Sequence, residues 1–412
     1  MILTNGRLIF PDDIRHGLEL VVEKGKISAI RGHNHAGANE IDGSPPGAPP
    51  SRAARLRRPG PAGSVLDLHG NYLAPGFIDL HVHGALGHDT MEASADALRA
   101  ICDYHSSGGT TSLLVTTATA PLDRITDVLN AVRNYGRARP PGAMLNQIAG
   151  VHVEGPFISK AKCGAQRPEF IQNPSRTSVQ RLLDHANVIK RITIAPELPG
   201  ALEAIENFYA HGISVSGGHS DAWDEEAREG FARGMRSVTH TFNCMSRARR
   251  RGIYRVGGLL EFALSEPQIS CELIADSHHV SETLMKVLYR AKGRRGICLV
   301  SDATAGAGLP DQSQFSLFGR DCVVEDGVCK LADRSALAGS ASRMIDLVRT
   351  MVLNVNVPLH EAVAMATENP ARAVGFEAKG RLEVGADADL VVLSPELEVL
   401  RTFSCGEQAF AH

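Results

Sequence analysis

Apolar and polar positions along the chain change pattern three times. From Met1 to about Ile30 they alternate, with Glu23-Lys24-Gly25-Lys26 as a turn, and the alternation predicts short half-buried strands. Residues 33–64 are rich in Pro, Gly, Ala and Arg, as in Ser44-Pro45-Pro46-Gly47. Such a stretch has too little apolar surface to offset its ordering entropy, so it is expected to be an exposed, mobile insertion acting as a linker. A regular alternation follows. Apolar runs at 77–82, 112–117, 148–153, 191–195, 213–216, 237–242, 271–275 and 297–300 are separated by stretches of helical periodicity, including 94–105, 122–135, 201–211, 225–233 and 281–292. Eight strands alternating with helices over roughly 300 residues predict a (β/α)8 barrel. From Lys379 the pattern returns to strands and turns, so the two chain ends are expected to pair into one small β-sandwich domain. The expected division is residues 1–73 and 375–412 for the small domain, with 74–374 forming the barrel.

Composition narrows this picture. The 412 residues are 43% hydrophobic and 22% charged, enough apolar material for a large core, and the net charge of −3 gives no reason to expect nucleic acid or an acidic membrane as partner. No apolar run approaches the roughly 18 residues that span a bilayer, and Met1 to Asp13 lacks the features of a secretory signal. The eight cysteines are scattered without a Cys-x-x-Cys pair. That spacing suits reduced thiols and a cytoplasmic location better than a disulfide framework.

The candidate chemistry lies at the carboxyl ends of the expected strands, where barrel enzymes place their active sites. In the run PGFIDLHVHG (residues 75–84), His81 and His83 are two apart. Side chains alternate with period two in a strand, so both imidazoles share a face and can occupy two corners of a metal's coordination shell. Glu154, His219, His240 and Asp302 fall at the ends of strands three, five, six and eight. The pattern suggests two nearby divalent ions, such as zinc or iron. His81 and His83 would hold one, His219 and His240 the other, and Glu154 would bridge them. Coordination lowers the pKa of water from 15.7 towards about 7, and Asp302 suits the proton transfer that hydrolysis then needs. Glu197, at another strand end, has no comparable partner and reads as structural.

The long polar segment after Glu154, including Lys160, Lys162, Cys163, Ala165 and Gln166, is expected to cover substrate, with Cys163 as an unreactive loop thiol. Arg251 and His279 are the candidates for holding an anionic substrate group. His278 reads as a spectator.

Eight motifs carry a resemblance through nearly the whole chain apart from the insertion: PGFIDLHVHG (75–84), VHVEGPF (151–157), GGHS (217–220), THTFNCM (239–245), LIADSHHV (273–280), LVSDAT (299–304), LAGS (337–340) and TENPARA (367–373). Together they resemble the N-acetylglucosamine-6-phosphate deacetylases of the amidohydrolase superfamily. The resemblance implies Glu154, His219 and His240 as shared metal ligands, with His81 and His83 matching members that hold a second ion. It implies Asp302 as the catalytic aspartate, Asn243 and Cys244 as sugar contacts, and Ala165 and Gln166 on the closing loop. It implies phosphate contacts from Arg251 and His279 and a further contact from Leu337, Ala338 and Gly339. The family is typically homodimeric, with Arg251 reaching the neighbouring subunit's phosphate.

This chain departs from the family pattern at Cys244, where Ala is common, at Gly252-Ile253-Tyr254 after Arg251, at Ser277-His278, and at Gln166, which is His in some members. The expected reaction is hydrolysis of the acetamide of N-acetylglucosamine 6-phosphate to glucosamine 6-phosphate and acetate. The alternatives are the galactosamine epimer, or an N-acyl amino acid or cyclic amide. Cyclic-amide members often bridge their metals with a carboxylated lysine from strand four, and residues 192–197 contain no lysine. A non-catalytic scaffold would be marked by lost ligands, and none is lost.

Overall fold

The computed structural model describes residues 1–32, 64–137 and 147–412. The expected insertion at 33–64 lies almost wholly outside the described residues. Eight parallel strands stand side by side in sequence order: Phe77–Val82, Thr110–Thr117, Ile148–Glu154, Ile189–Ile194, Ser214–Gly217, Met235–Val238, Ser270–Leu273 and Ile297–Leu299. The ring closes through a parallel bridge between Val82 and Ala303 and a 2.9 Å hydrogen bond from Asp302 N to His81 O. The barrel expected from the alternation is therefore present.

The five expected helices all form, at Ala95–Ser106, Leu122–Arg137, Ala201–Ala210, Asp224–Ala232 and Glu282–Lys292. Ser94 caps the first by accepting from Ala97 N at 3.1 Å. Their apolar faces, including Leu98, Ile101, Ile125, Leu129, Ile205 and Phe208, pack on the outside of the barrel strands in one large core. Every residue of the first two strands is buried, the continuous apolar pattern of a parallel sheet covered on both faces.

The chain ends form two further sheets. Four strands between Ile2 and Asp67 make one; the other joins Arg7–Ile9, Ile14–Arg15 and Tyr72–Pro75 to Leu390–Leu393, Val399–Ser404 and Glu407–Ala411. The second sheet thus mixes both ends of the chain, with Tyr72–Pro75 antiparallel to Leu390–Leu393. Leu3, Leu20, Ile27, Leu73, Leu390 and Phe403 fill a separate core there.

A three-stranded antiparallel sheet at Gln314–Leu317, Arg320–Glu325 and Val328–Leu331 was not expected from the sequence. It follows the eighth strand and hangs over the rim where the candidate ligands sit.

Candidate metal centre

The first barrel strand delivers its two imidazoles to one point, with His81 Nε2 3.2 Å from His83 Nε2. His219 Nε2 and His240 Nε2 face each other at 3.1 Å. Glu154 stands between the pairs: its Oε1 lies 3.4 Å from His81 and 3.2 Å from both His219 and His240, and its Oε2 lies 3.2 Å from His83. Asp302 Oδ1 is 3.5 Å from the Nε2 atoms of both His81 and His83. All six expected ligands therefore meet in one site. Two groups have ligand atoms close enough for one ion each, His81 with His83 and Glu154, and Glu154 with His219 and His240.

Three of the ligands lie beyond the strands whose ends they were expected to occupy. The fifth and sixth strands stop at Gly217 and Val238, so His219 and His240 sit in the turns beyond, with φ of 46° and 29°; Asp302, beyond Leu299, has φ of 50°. Positive φ in residues with a Cβ is uncommon and costs on the order of 1–3 kcal/mol each. Three such residues at one rim turn their side chains inward.

Electrostatics tie the cluster together. Burial alone would raise the Glu154 carboxyl, but the imidazoles of His81 and His219 outweigh it and hold the group well below the usual carboxylate range. Burial likewise opposes a charged His81, and Glu154 and Asp302 outweigh it to push the imidazole up. Gln166, which also lines the cavity, has a role beyond the substrate contact expected of it. Its amide, 3% exposed, accepts from Thr119 N at 2.8 Å and donates to Glu154 Oε2 at 2.6 Å, so it fixes the carboxylate between the imidazoles.

A second layer below the ligands was not found from the sequence. Glu272, in the seventh strand, faces His81 Nδ1 at 3.3 Å, accepts from His240 N at 3.1 Å, and pairs with Arg191 at 2.9 Å. Arg191 is among the largest fully buried side chains and also donates to Ser214 and Ser216. Burial alone would raise Glu272; the Arg191 guanidinium and His81 hold it far below the usual range instead. His152, which burial holds well below the usual imidazole range, donates from Nδ1 to Leu80 O at 3.1 Å and accepts at Nε2 from Thr193 Oγ1 at 2.8 Å. The available signal was a lone charge of each sign, Glu272 and Arg191, inside runs expected to be buried strands.

A cavity of about 250 Å³ opens above the cluster. His83, Glu154, His219, His240 and Asp302 form its floor, and Ala165, Gln166, Asn243, Cys244, His279, Leu337 and Gly339 line its walls. His279 hydrogen-bonds Asp276 at 2.7 Å; burial would lower its pKa, but Asp276 outweighs that and raises it. Two expected contacts are elsewhere. Ala338 is fully buried behind the wall, where its carbonyl accepts from Thr304 Oγ1. Arg251 lies on an exposed hairpin, Arg249–Arg251 with Tyr254–Val256, its guanidinium stacked over Trp223 at 4.0 Å and paired with Glu225 at 2.6 Å. Within the chain it does not line the cavity.

Glu197 accepts from Ser220 Oγ and Asp221 N and so braces the turn carrying His219. His278 is exposed, Cys163 is half-buried on its loop, and all eight cysteines are free.

Leu317 and Phe318 also line the cavity, and no feature of the sequence pointed to them. Phe318 and Gly319 form the two-residue turn between the first two strands of the overhanging sheet, both with positive φ (54° and 80°). Such turns usually take Asn or Gly. Here an aromatic occupies the strained position, and its ring meets the His83 ring edge-to-face at 5.1 Å.

A buried pocket of imidazoles and carboxylates at the carboxyl rim of a (β/α)8 barrel defines a metal-dependent hydrolase type of site. The amidohydrolase family matches residues 72–409, and the chain belongs to that family. Within it, the chain is 33% identical to an N-acetylglucosamine-6-phosphate deacetylase of Lysinibacillus sphaericus, over 94% of this chain and 92% of the relative. It superposes on the crystal structure of N-acetylglucosamine-6-phosphate deacetylase from Pasteurella multocida with a TM-score of 0.86 and 32% identity, covering 100% of this chain and 99% of that one. A Mycobacterium smegmatis deacetylase in complex with N-acetyl-D-glucosamine-6-phosphate gives a TM-score of 0.86 at 28% identity, with 100% and 99% covered.

Proposed function

We propose that this chain hydrolyses N-acetyl-D-glucosamine 6-phosphate to D-glucosamine 6-phosphate and acetate. The observation that carries the reading is the convergence of four imidazoles, Glu154 and Asp302 on one buried point beneath a cavity of sugar size. The donor set fits a divalent cation. Four imidazole Nε2 atoms face one another and a carboxylate with little water access, and cations of the zinc and iron type favour nitrogen and oxygen donors of this kind. His81, His83, Glu154, His219 and His240 would hold one or two such ions. When bound, the metal polarises the amide carbonyl and lowers the pKa of water towards about 7.

The chain's own residues do the rest. Asp302, at the edge of the cluster and open to the cavity, accepts the proton of the attacking water and delivers it to the amide nitrogen as the C–N bond breaks. His279, whose pKa the hydrogen bond to Asp276 raises, draws the phosphate to the far wall. Asn243, Leu337 and Gly339 border the sugar between these two points.

The absence of lysine at the upper end of the fourth strand, where Lys190 sits near the base, weighs against the cyclic-amide alternative. We place the enzyme in the cytoplasm as a homodimer. No helix among the described residues is long and apolar enough to cross a membrane, and the Arg251 hairpin presents Ile253 and Tyr254 at 85% and 71% exposure, an apolar tip suited to a second copy.

The test is acetate release from N-acetylglucosamine 6-phosphate and its galactosamine epimer, with metal analysis of the same preparation. Asp302→Asn should lose turnover by about 100-fold or more while its metal content stays near wild type. Unchanged turnover would remove Asp302 from the mechanism.

A further inference from the structure

The opposite end of the barrel carries another cavity, about 520 Å³, between the bases of the sixth, seventh and eighth strands and the helix Glu368–Ala373. Four cations line it, Arg236, Lys292, Arg295 and Arg372, and no Asp or Glu does. Among the described residues none of the four pairs with a carboxylate. Arg236 donates to the carbonyls of Phe231 and Met235, Lys292 to those of Ala263 and Glu266, and Arg372 to the carbonyl of Arg295 and the amide of Asn369. The Arg295 guanidinium makes no hydrogen bond or ion pair among the described residues. The adjacent acid, Glu266, turns its carboxylate to Gln268 N at 3.0 Å, and Asp12 pairs with Arg294.

Carbonyls fix the position of a cation without cancelling its charge. Arg236 and Arg372 each spend one nitrogen on these acceptors and keep further donors free, since a guanidinium carries five N–H bonds. Four like charges held around one depression repel each other, and an anion placed among them relieves that repulsion while taking several charge-assisted hydrogen bonds. In a chain whose net charge is −3, this concentration is local and not a consequence of overall composition.

We propose that this depression is a binding site for a small polyanion carrying a phosphoryl group, separate from the metal centre. Conservation of strand direction sets the separation. Arg236 and Arg295 stand at the bases of strands whose opposite ends lead to His240 and Asp302. A strand rises about 3.3 Å per residue, so the two sites lie on opposite faces of the barrel. An anion bridging three strand bases and a helix would bind only the folded protein and raise its stability in proportion to occupancy.

The experiment titrates the metal-loaded enzyme with inorganic phosphate, pyrophosphate and glucose 6-phosphate, by calorimetry and thermal midpoint, against potassium chloride of equal ionic strength. Wild type and Arg295→Ala/Arg372→Ala share the same metal centre, so binding there cancels between them. Loss of this site should appear as one binding event weakened about 10- to 100-fold, with acetate release unchanged. Arg295→Ala alone, which removes a guanidinium that makes no hydrogen bond among the described residues, should show part of the same loss. Tighter binding of glucose 6-phosphate than of phosphate would assign a phosphate ester, and tighter pyrophosphate a free polyphosphate. Identical isotherms for wild type and the double variant with all three anions would overturn the proposal.

Discussion

Glu272→Gln separates two jobs that one buried carboxylate performs. Glutamine keeps the size and an acceptor oxygen, so the hydrogen bond from His240 N survives, but the negative charge facing His81 Nδ1 at 3.3 Å and Arg191 at 2.9 Å disappears. A carboxylate behind a metal-binding histidine fixes the ring's tautomer and raises its basicity, and losing such a partner costs 10- to 100-fold in metal affinity, about 1.4–2.8 kcal/mol. Arg191, with its side chain 1% exposed, is then left as a buried charge without a counter-charge, a loss of roughly 3–5 kcal/mol in stability. The two effects come apart in Glu272→Gln/Arg191→Met. The second substitution removes the stranded cation and should recover most of the thermal midpoint of the metal-free protein, while metal retention stays as weak as in Glu272→Gln. Competition against a chromophoric chelator measures the first quantity and thermal unfolding the second. Wild-type metal retention in Glu272→Gln would refute the reasoning, because Glu272 would then not act through His81.

Three further outcomes follow from the same geometry. His279 has a raised pKa, so it holds its charge above the range of an ordinary imidazole, and KM for the phosphosugar should climb as pH rises through that raised value; Asp276→Asn removes the cause and should move the climb to lower pH, as a pH series of KM would read. Phe318→Ala opens the wall beside His83 and should lower turnover of the acetyl substrate while improving propionyl and butyryl analogues relative to it, with an unaltered acyl preference counting against Phe318 as the boundary of that pocket. Chelation should abolish acetate release and lower the thermal midpoint, since four imidazoles and Glu154 would be left facing each other without a cation; full stability after metal removal would count against the site as read.

The barrel and its ligands were readable because both rest on local periodicity. Period-two alternation put His81 and His83 on one face, and the strand count placed Glu154, His219, His240 and Asp302 at one rim, where they do meet. The left-handed turns that carry His219, His240 and Asp302 were not readable, since no Gly or Asn stands at those positions to announce them. Glu272 and Arg191 left a faint trace as charges in apolar runs, but their partnership depends on which strands become neighbours. Phe318 left none. Its place over His83 arises from a small sheet of three short strands outside the barrel's alternation, and from a turn occupied against its usual residue preference. Gln166 was placed on the correct loop, yet its bonds to Thr119 and Glu154 follow from tertiary packing alone.

The strand Tyr72–Pro75, which leads directly into His81 and His83, is held on one side by Arg7–Ile9 and on the other by Leu390–Leu393, with Gly76 N bonded to Asp389 O at 2.8 Å. During translation, therefore, the lead-in to the metal ligands keeps an open apolar edge until roughly 300 further residues have been made, a sequence separation that slows folding. Over that interval the edge is open to pairing with another nascent chain. A chain that stopped short of Leu390 would carry every metal ligand and still leave the strand leading into His81 and His83 without its partner on one side.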